Sequence, residues 1–131
     1  MSERPLSPHL SVYRMYRYSL LTSVINRATG VVLSAGLLVL AYWLMAVANG
    51  AAAYRRALSI LSLGGFKLVL LALLAALSYH LIAGIRHLIW DTGRGLERTQ
   101  SQRSAWLVIA SSLLLFAALA YCAWRGAGRA P

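Results

Sequence analysis

Three long apolar runs, almost free of charge, limit what this chain can fold into. No Asp, Glu, Lys or Arg lies between Arg27 and Arg55 or between Arg103 and Arg125, and from residue 57 to residue 90 there are two such residues, Lys67 and Arg86. Each run is at least as long as the roughly 20 residues a helix needs to cross a hydrocarbon layer. In lipid every backbone N–H and C=O must be satisfied within the protein, which three such runs achieve as helices. The expected fold is therefore an all-α membrane protein with three transmembrane helices. Its parts are an interfacial amino-terminal segment (1–19), a first span (20–48), a connection (49–61), a second span (62–91), a polar connection (92–103), a third span (104–124) and a tail (125–131). Trp106 and Trp124 bracket the third span as an aromatic belt does.

Charge narrows the classes further. Thirteen Lys and Arg against three Asp and Glu are too unbalanced to clothe a soluble surface that is 60% hydrophobic in composition. A formal net charge of +10 raises the question of nucleic acid. The arginines, however, flank apolar spans instead of gathering on one soluble face, which excludes that class. Cys122 is the single cysteine, so an internal disulfide, a thiolate cluster and a Cys-x-x-Cys-His haem attachment are all ruled out, and any haem is held non-covalently. The first apolar run exceeds the roughly 7–15 residues of a signal-peptide core, and Met1-Ser2-Glu3-Arg4 lacks the character of a transit peptide. A bacterial inner membrane is expected, in preference to the mitochondrial one.

Basic residues also set an expected orientation. Arg4, Arg14, Arg17, Arg27, Arg86, Arg94, Arg98 and Arg103 make eight on the amino-terminal side, against five on the other: Arg55, Arg56, Lys67, Arg125 and Arg129. The positive-inside rule places the amino terminus in the cytoplasm.

Polar residues inside the spans are the candidates for function. At about 100° per residue, His80, Gly84, His87 and Asp91 fall on one stripe of a helix. His80 lies roughly 10 Å deeper than His87 along the axis. Two readings of His80 stand side by side: an axial ligand of a haem iron, or a hydrogen-bonding contact to a partner helix. Gly84 removes a side chain where a macrocycle or a helix needs room. In the first span Ser23 and Arg27 share a face, as do Asn26 and Gly30. Arg27 reads either as a snorkelling interfacial arginine or, with Ser23, as a pocket for carbonyl or carboxylate oxygens. Gly30, Ser34 and Gly36 permit close helix contact. In the amino-terminal segment His9 reads first as a surface residue, and Leu6-Ser7-Pro8-His9 as extended or turn-like.

Three motifs then come together: Arg4-Pro5-Leu6-Ser7-Pro8-His9-Leu10 with Val12-Tyr13, Ser23 to Arg27 with Thr29-Gly30, and His80 with Gly84-Ile85-Arg86-His87 and Asp91. In this order, over nearly the whole chain, they resemble the cytochrome b membrane-anchor subunit of succinate dehydrogenase. The resemblance implies one half of a two-chain anchor bundle that docks an iron–sulfur subunit and a flavoprotein subunit. It implies that His80 is an axial ligand of haem b, with the other ligand supplied by the second small anchor subunit. It implies that Ser23 and Arg27 contribute to a ubiquinone site, that Arg27, Arg86 and His87 are candidates for the haem propionates, and that Arg4, Pro5, Ser7, Pro8, His9 and Asp91 are candidates for docking partners. One position departs from the pattern: many relatives have histidine directly before the arginine, where this chain has Asn26, an amide that donates a hydrogen bond without positive charge.

The function expected from this is electron transfer within a succinate:quinone oxidoreductase, passing electrons from an iron–sulfur cluster to quinone. Fumarate reduction on the same architecture is the near alternative, a small helical transporter or pore subunit the distant one, and a haemless tether a third. Alone the chain is not an enzyme, since it has no flavin-binding glycine fingerprint, no cysteine ligands for clusters and no succinate-handling site.

Overall fold

The computed structural model describes residues 17–127, and all of the described regular structure is helical. Four helices follow in order: α1 (Arg17–Ala48), α2 (Ala51–Leu61), α3 (Gly64–Asp91) and α4 (Arg98–Ala127). α1, α3 and α4 are each long and apolar enough to cross a membrane. At 1.5 Å per residue the 28 residues of α3 extend about 42 Å, enough to cover the hydrocarbon layer and reach the headgroups.

The turns have local causes. α1 ends where Asn49 folds back, its side-chain amide donating to the Met45 carbonyl at 2.7 Å. Gly50 then takes φ 88°, a left-handed conformation that side chains with a Cβ avoid, and the chain reverses into α2. The segment 49–61, expected as a connection, is thus largely a short helix. Its alanines favour helix, its arginines and Ser59 are exposed, and Ala57 is completely buried. Such an amphipathic piece suits the membrane surface. α3 stops at Thr92, whose hydroxyl donates to the Ile89 carbonyl at 2.7 Å, and Gly93 follows at φ 76°. α4 begins at Arg98, six residues before the expected start of the third span. Polar Arg98 to Arg103 carry the helix out of the apolar layer, and the Ser101 amide bonds the Glu97 carbonyl at 2.8 Å.

α3 is the middle helix, packed on one side by α1 and on the other by α4, each antiparallel to it, while α1 and α4 touch only lightly. The seams are made of small residues: Ala76, Ser78 and Ala83 of α3 and Ala105, Val108 and Ser112 of α4 are buried. Leucines point outward instead, as with Leu38, Leu68 and Leu114, each about 70% exposed. That is the inverse of a soluble core, and it suits a solvent as apolar as leucine, where close backbone approach holds helices together. Gly36 marks the tightest approach, since a Cβ there would lie 2.5 Å from Leu73 Cδ2.

Candidate functional site

The antiparallel register of α1 and α3 sets His80 against the third and fourth turns of α1. Its Nδ1 lies 3.2 Å from the Asn26 carbonyl oxygen and 3.3 Å from Thr29 Oγ1. A carbonyl oxygen can only accept, so Nδ1 carries a proton, and in the neutral tautomer the lone pair is on Nε2. Thr29 fits that assignment, because its own hydroxyl proton is directed at the Ile25 and Asn26 carbonyls, both at 2.9 Å. Gly30 makes the arrangement possible: a Cβ there would come within 3.3 Å of His80 Cε1. Of the two glycines that flank the histidine in space or sequence, Gly30 meets the ring, whereas Gly84 faces open space among the described residues.

His80 also lines a groove of about 550 Å³ between α1 and α3, whose other walls are Gly30, Leu33, Ser34, Gly36, Leu73 and Leu77 among neighbours of the same kind. The site is thus an imidazole, fixed through one nitrogen, at the polar end of a leucine-walled slot. This is the donor set and the shape that a flat apolar macrocycle with a central iron requires. Among the described residues no group of three or more His, Cys, Asp or Glu side chains is placed to hold a bare metal ion.

Nearer the helix ends a second cluster forms around Arg86, which is only 7% exposed. Its Nε donates to Ser104 Oγ at 2.9 Å, Nη1 to Thr22 Oγ1 at 3.1 Å, and Nη2 to the Ser101 carbonyl at 2.8 Å and to Ser101 Oγ at 3.2 Å. The guanidinium carbon stands 4.0 Å over the centre of the Trp90 ring, and the Trp90 indole N–H donates to the Gly95 carbonyl at 3.1 Å. One side chain therefore ties α1, α3 and α4 together. Replacing it by leucine is expected to cost about 3 kcal/mol of stability through the lost charged hydrogen bonds, seen as a lower Tm in detergent, with lysine recovering little because it lacks the planar fork.

Ser23 sits beside this cluster. It is half-buried and shares with Thr22, Ala83, Arg86, His87 and Trp90 the wall of a small cavity of about 50 Å³. His87 is exposed and meets Trp90 edge-on, with ring centres 5.2 Å apart. Arg27 is exposed and makes no hydrogen bond or ion pair to another described residue. Asp91, the last residue of α3, is exposed as well. The fold thus brings Ser23, Arg86 and His87 together, carries Arg27 on the turn of α1 that holds His80, and leaves Asp91 apart. The docking candidates Arg4, Pro5, Ser7, Pro8 and His9 lie outside the described residues.

Sequence reasoning did not assign roles to Thr22, Tyr79, Trp90, Ser101 or Ser104. Tyr79 donates to the Thr22 carbonyl at 3.0 Å and braces α1 on the side facing the arginine. The Ser101–Ser104 spacing, three residues apart at the start of a helix, was the available signal for a donor-rich partner. Asn26 Oδ1 is buried and has no hydrogen-bond partner among the described residues.

Comparison with known proteins gives the family. The profile of the succinate dehydrogenase/fumarate reductase transmembrane subunit family matches residues 1–119. The succinate dehydrogenase cytochrome b556 subunit of Paracoccus denitrificans is 42% identical over 113 residues, covering 86% of this chain and 85% of that one. The b556 subunit of Rickettsia felis is 37% identical over 87% of this chain and 88% of its own length. The human mitochondrial cytochrome b560 subunit is 34% identical over 86% of this chain and 68% of its own. With a family match along most of its length and relatives well above 30% identity, the chain belongs to the succinate dehydrogenase/fumarate reductase cytochrome b membrane-anchor subunits.

Proposed function

We propose that this chain is the non-catalytic half of a two-chain anchor of succinate dehydrogenase in a bacterial inner membrane, that it holds haem b through His80, and that it forms part of the quinone-reduction site through Ser23 and Arg27. The observation that carries the reading is the placement of His80: Nδ1 lies against a carbonyl and a hydroxyl of α1, which leaves Nε2 available to an iron inside an apolar slot. When bound, haem b supplies a one-electron couple within the membrane. A second iron ligand would come from a second small anchor subunit, because His87 is about two helical turns along the same helix from His80 and could not share one iron with it.

For the quinone the chain supplies donors. Arg27, exposed and without a partner among the described residues, offers guanidinium N–H groups to a carbonyl oxygen, and Ser23 offers a hydroxyl at the edge of a small cavity. A water admitted to that cavity, beside His87, would give protons a route from the polar surface to the reduced quinone. Arg27 and His87 are also the freest groups for the haem propionates. Arg86 is a further candidate, although four of its hydrogen bonds are already made within the chain. The end of the bundle carrying Ser23, His87 and Arg98 faces the cytoplasm and meets the iron–sulfur and flavoprotein subunits, with Asp91 and the segment around Arg4 to His9 in the contact. The relatives named for succinate dehydrogenase favour succinate oxidation over fumarate reduction as the working direction.

The test is to purify the complex through this chain from its native membrane and record a reduced-minus-oxidised spectrum. The expected result is a b-type α band together with a second small membrane subunit and two large soluble ones. A fully assembled but colourless complex overturns the haem assignment.

A further inference from the structure

We infer that Thr29 is a positioning residue for the proposed iron ligand and sets the haem's reduction potential through the hydrogen bond from His80 Nδ1, an inference that rests on the haem reading above. Nδ1 has two acceptors on α1, the Asn26 carbonyl at 3.2 Å and Thr29 Oγ1 at 3.3 Å. They differ in kind. The carbonyl already receives a proton from the Thr29 hydroxyl at 2.9 Å, and as the acceptor of an α-helical residue it serves the ladder of α1 as well. The hydroxyl oxygen has spent its one proton on the Ile25 and Asn26 carbonyls, so both its lone pairs are free to accept. Thr29 therefore relays the basicity of two main-chain oxygens to the imidazole through a side chain that can be changed without breaking the helix.

An acceptor on Nδ1 increases the electron donation of Nε2, which favours ferric over ferrous iron and lowers the potential. Gly30 completes the device: with no Cβ between them, ring and helix are in contact, and the orientation of the imidazole follows that of α1. The same turn carries Arg27, one position from Asn26 and two from Thr29. The ligand's electronic tuning and the proposed quinone donor are thus on a single helical turn.

The experiment compares the intact complex carrying Thr29→Val, Thr29→Ser and Thr29→Ala. Haem content, the low-temperature α band and the midpoint potential are measured by redox titration without quinone turnover. Thr29→Val is isosteric and removes the acceptor. It is expected to raise the ferrous-to-ferric ratio at a fixed potential at least threefold, a rise of about 28 mV for a one-electron couple. Thr29→Ser keeps the hydroxyl and is expected to titrate as the native protein. Thr29→Ala, with higher helix propensity than valine, serves if the β-branched variant assembles poorly. Loss of haem from the valine and alanine variants, with retention in the serine variant and unchanged succinate oxidation by an artificial acceptor, also supports the inference. An unchanged potential and spectrum in both the valine and alanine variants overturns it, as does a serine variant as disturbed as the valine one, which would trace the effect to bulk. A haem that survives His80→Ala defeats the parent reading instead, so the two failures are distinct.

Discussion

His80→Ala is expected to abolish stable haem binding. The α band should fall to a small fraction of the native intensity per complex, and the residual pigment should be extractable by mild detergent. The reason is that, among the described residues, this imidazole is the one histidine in the apolar groove, and its loss would remove both the proposed iron ligand and two of the hydrogen bonds that join α3 to α1. A five-coordinate iron held by the partner alone would have an altered Soret band. If the alanine variant keeps a native spectrum, the ligand lies elsewhere. The hydrogen bonds to α1 would then be the whole role of His80, which is the other reading its position in the sequence allowed.

The second large effect concerns Ser23 and Arg27. Replacing either by alanine is expected to reduce quinone reduction at least tenfold, roughly 1.4 kcal/mol of transition-state stabilisation, while succinate oxidation by an artificial acceptor is retained. The two assays on one preparation separate a damaged quinone site from a failed assembly, because a complex that does not assemble loses both. Arg27 is expected to be the more sensitive of the pair. It has no partner among the described residues to hold it in its absence of ligand, and it carries the only full charge of the two. Ser23 lies half-buried against a cavity already lined by other donors.

The spans were readable because charge is excluded from lipid at high cost, so the silence between Arg27 and Arg55 is a direct statement about the environment. Depth was readable too, and it singled out His80 from His87. What is absent from a linear reading is the register between helices. That the Asn26 carbonyl and Thr29 hydroxyl meet His80, across more than 50 positions of sequence, depends on how α1 slides against α3. Seams of glycine and alanine fix that slide without leaving a periodic signal. Arg86 shows the same limit in another form. Its place near the end of an apolar run suggests an arginine reaching for water, whereas the early start of α4 brings Ser101 and Ser104 over it and encloses it. α2 was read as a connection because two arginines and Asn49-Gly50 interrupt the apolar pattern, and a helix of 11 residues is too short to declare itself.

The thin burial of α1 carries a consequence for the cell. Among the described residues only 6% of its apolar window is buried, so apart from its seam with α3 the first helix to be made leaves most of its surface to lipid or to another chain. Lone copies would be prey for membrane proteases, and accumulation would be governed by the dosage of whatever companion chain sheathes that face. Matched synthesis of the pair, more than the strength of any contact within this one, would then decide how many respiratory units a cell can build.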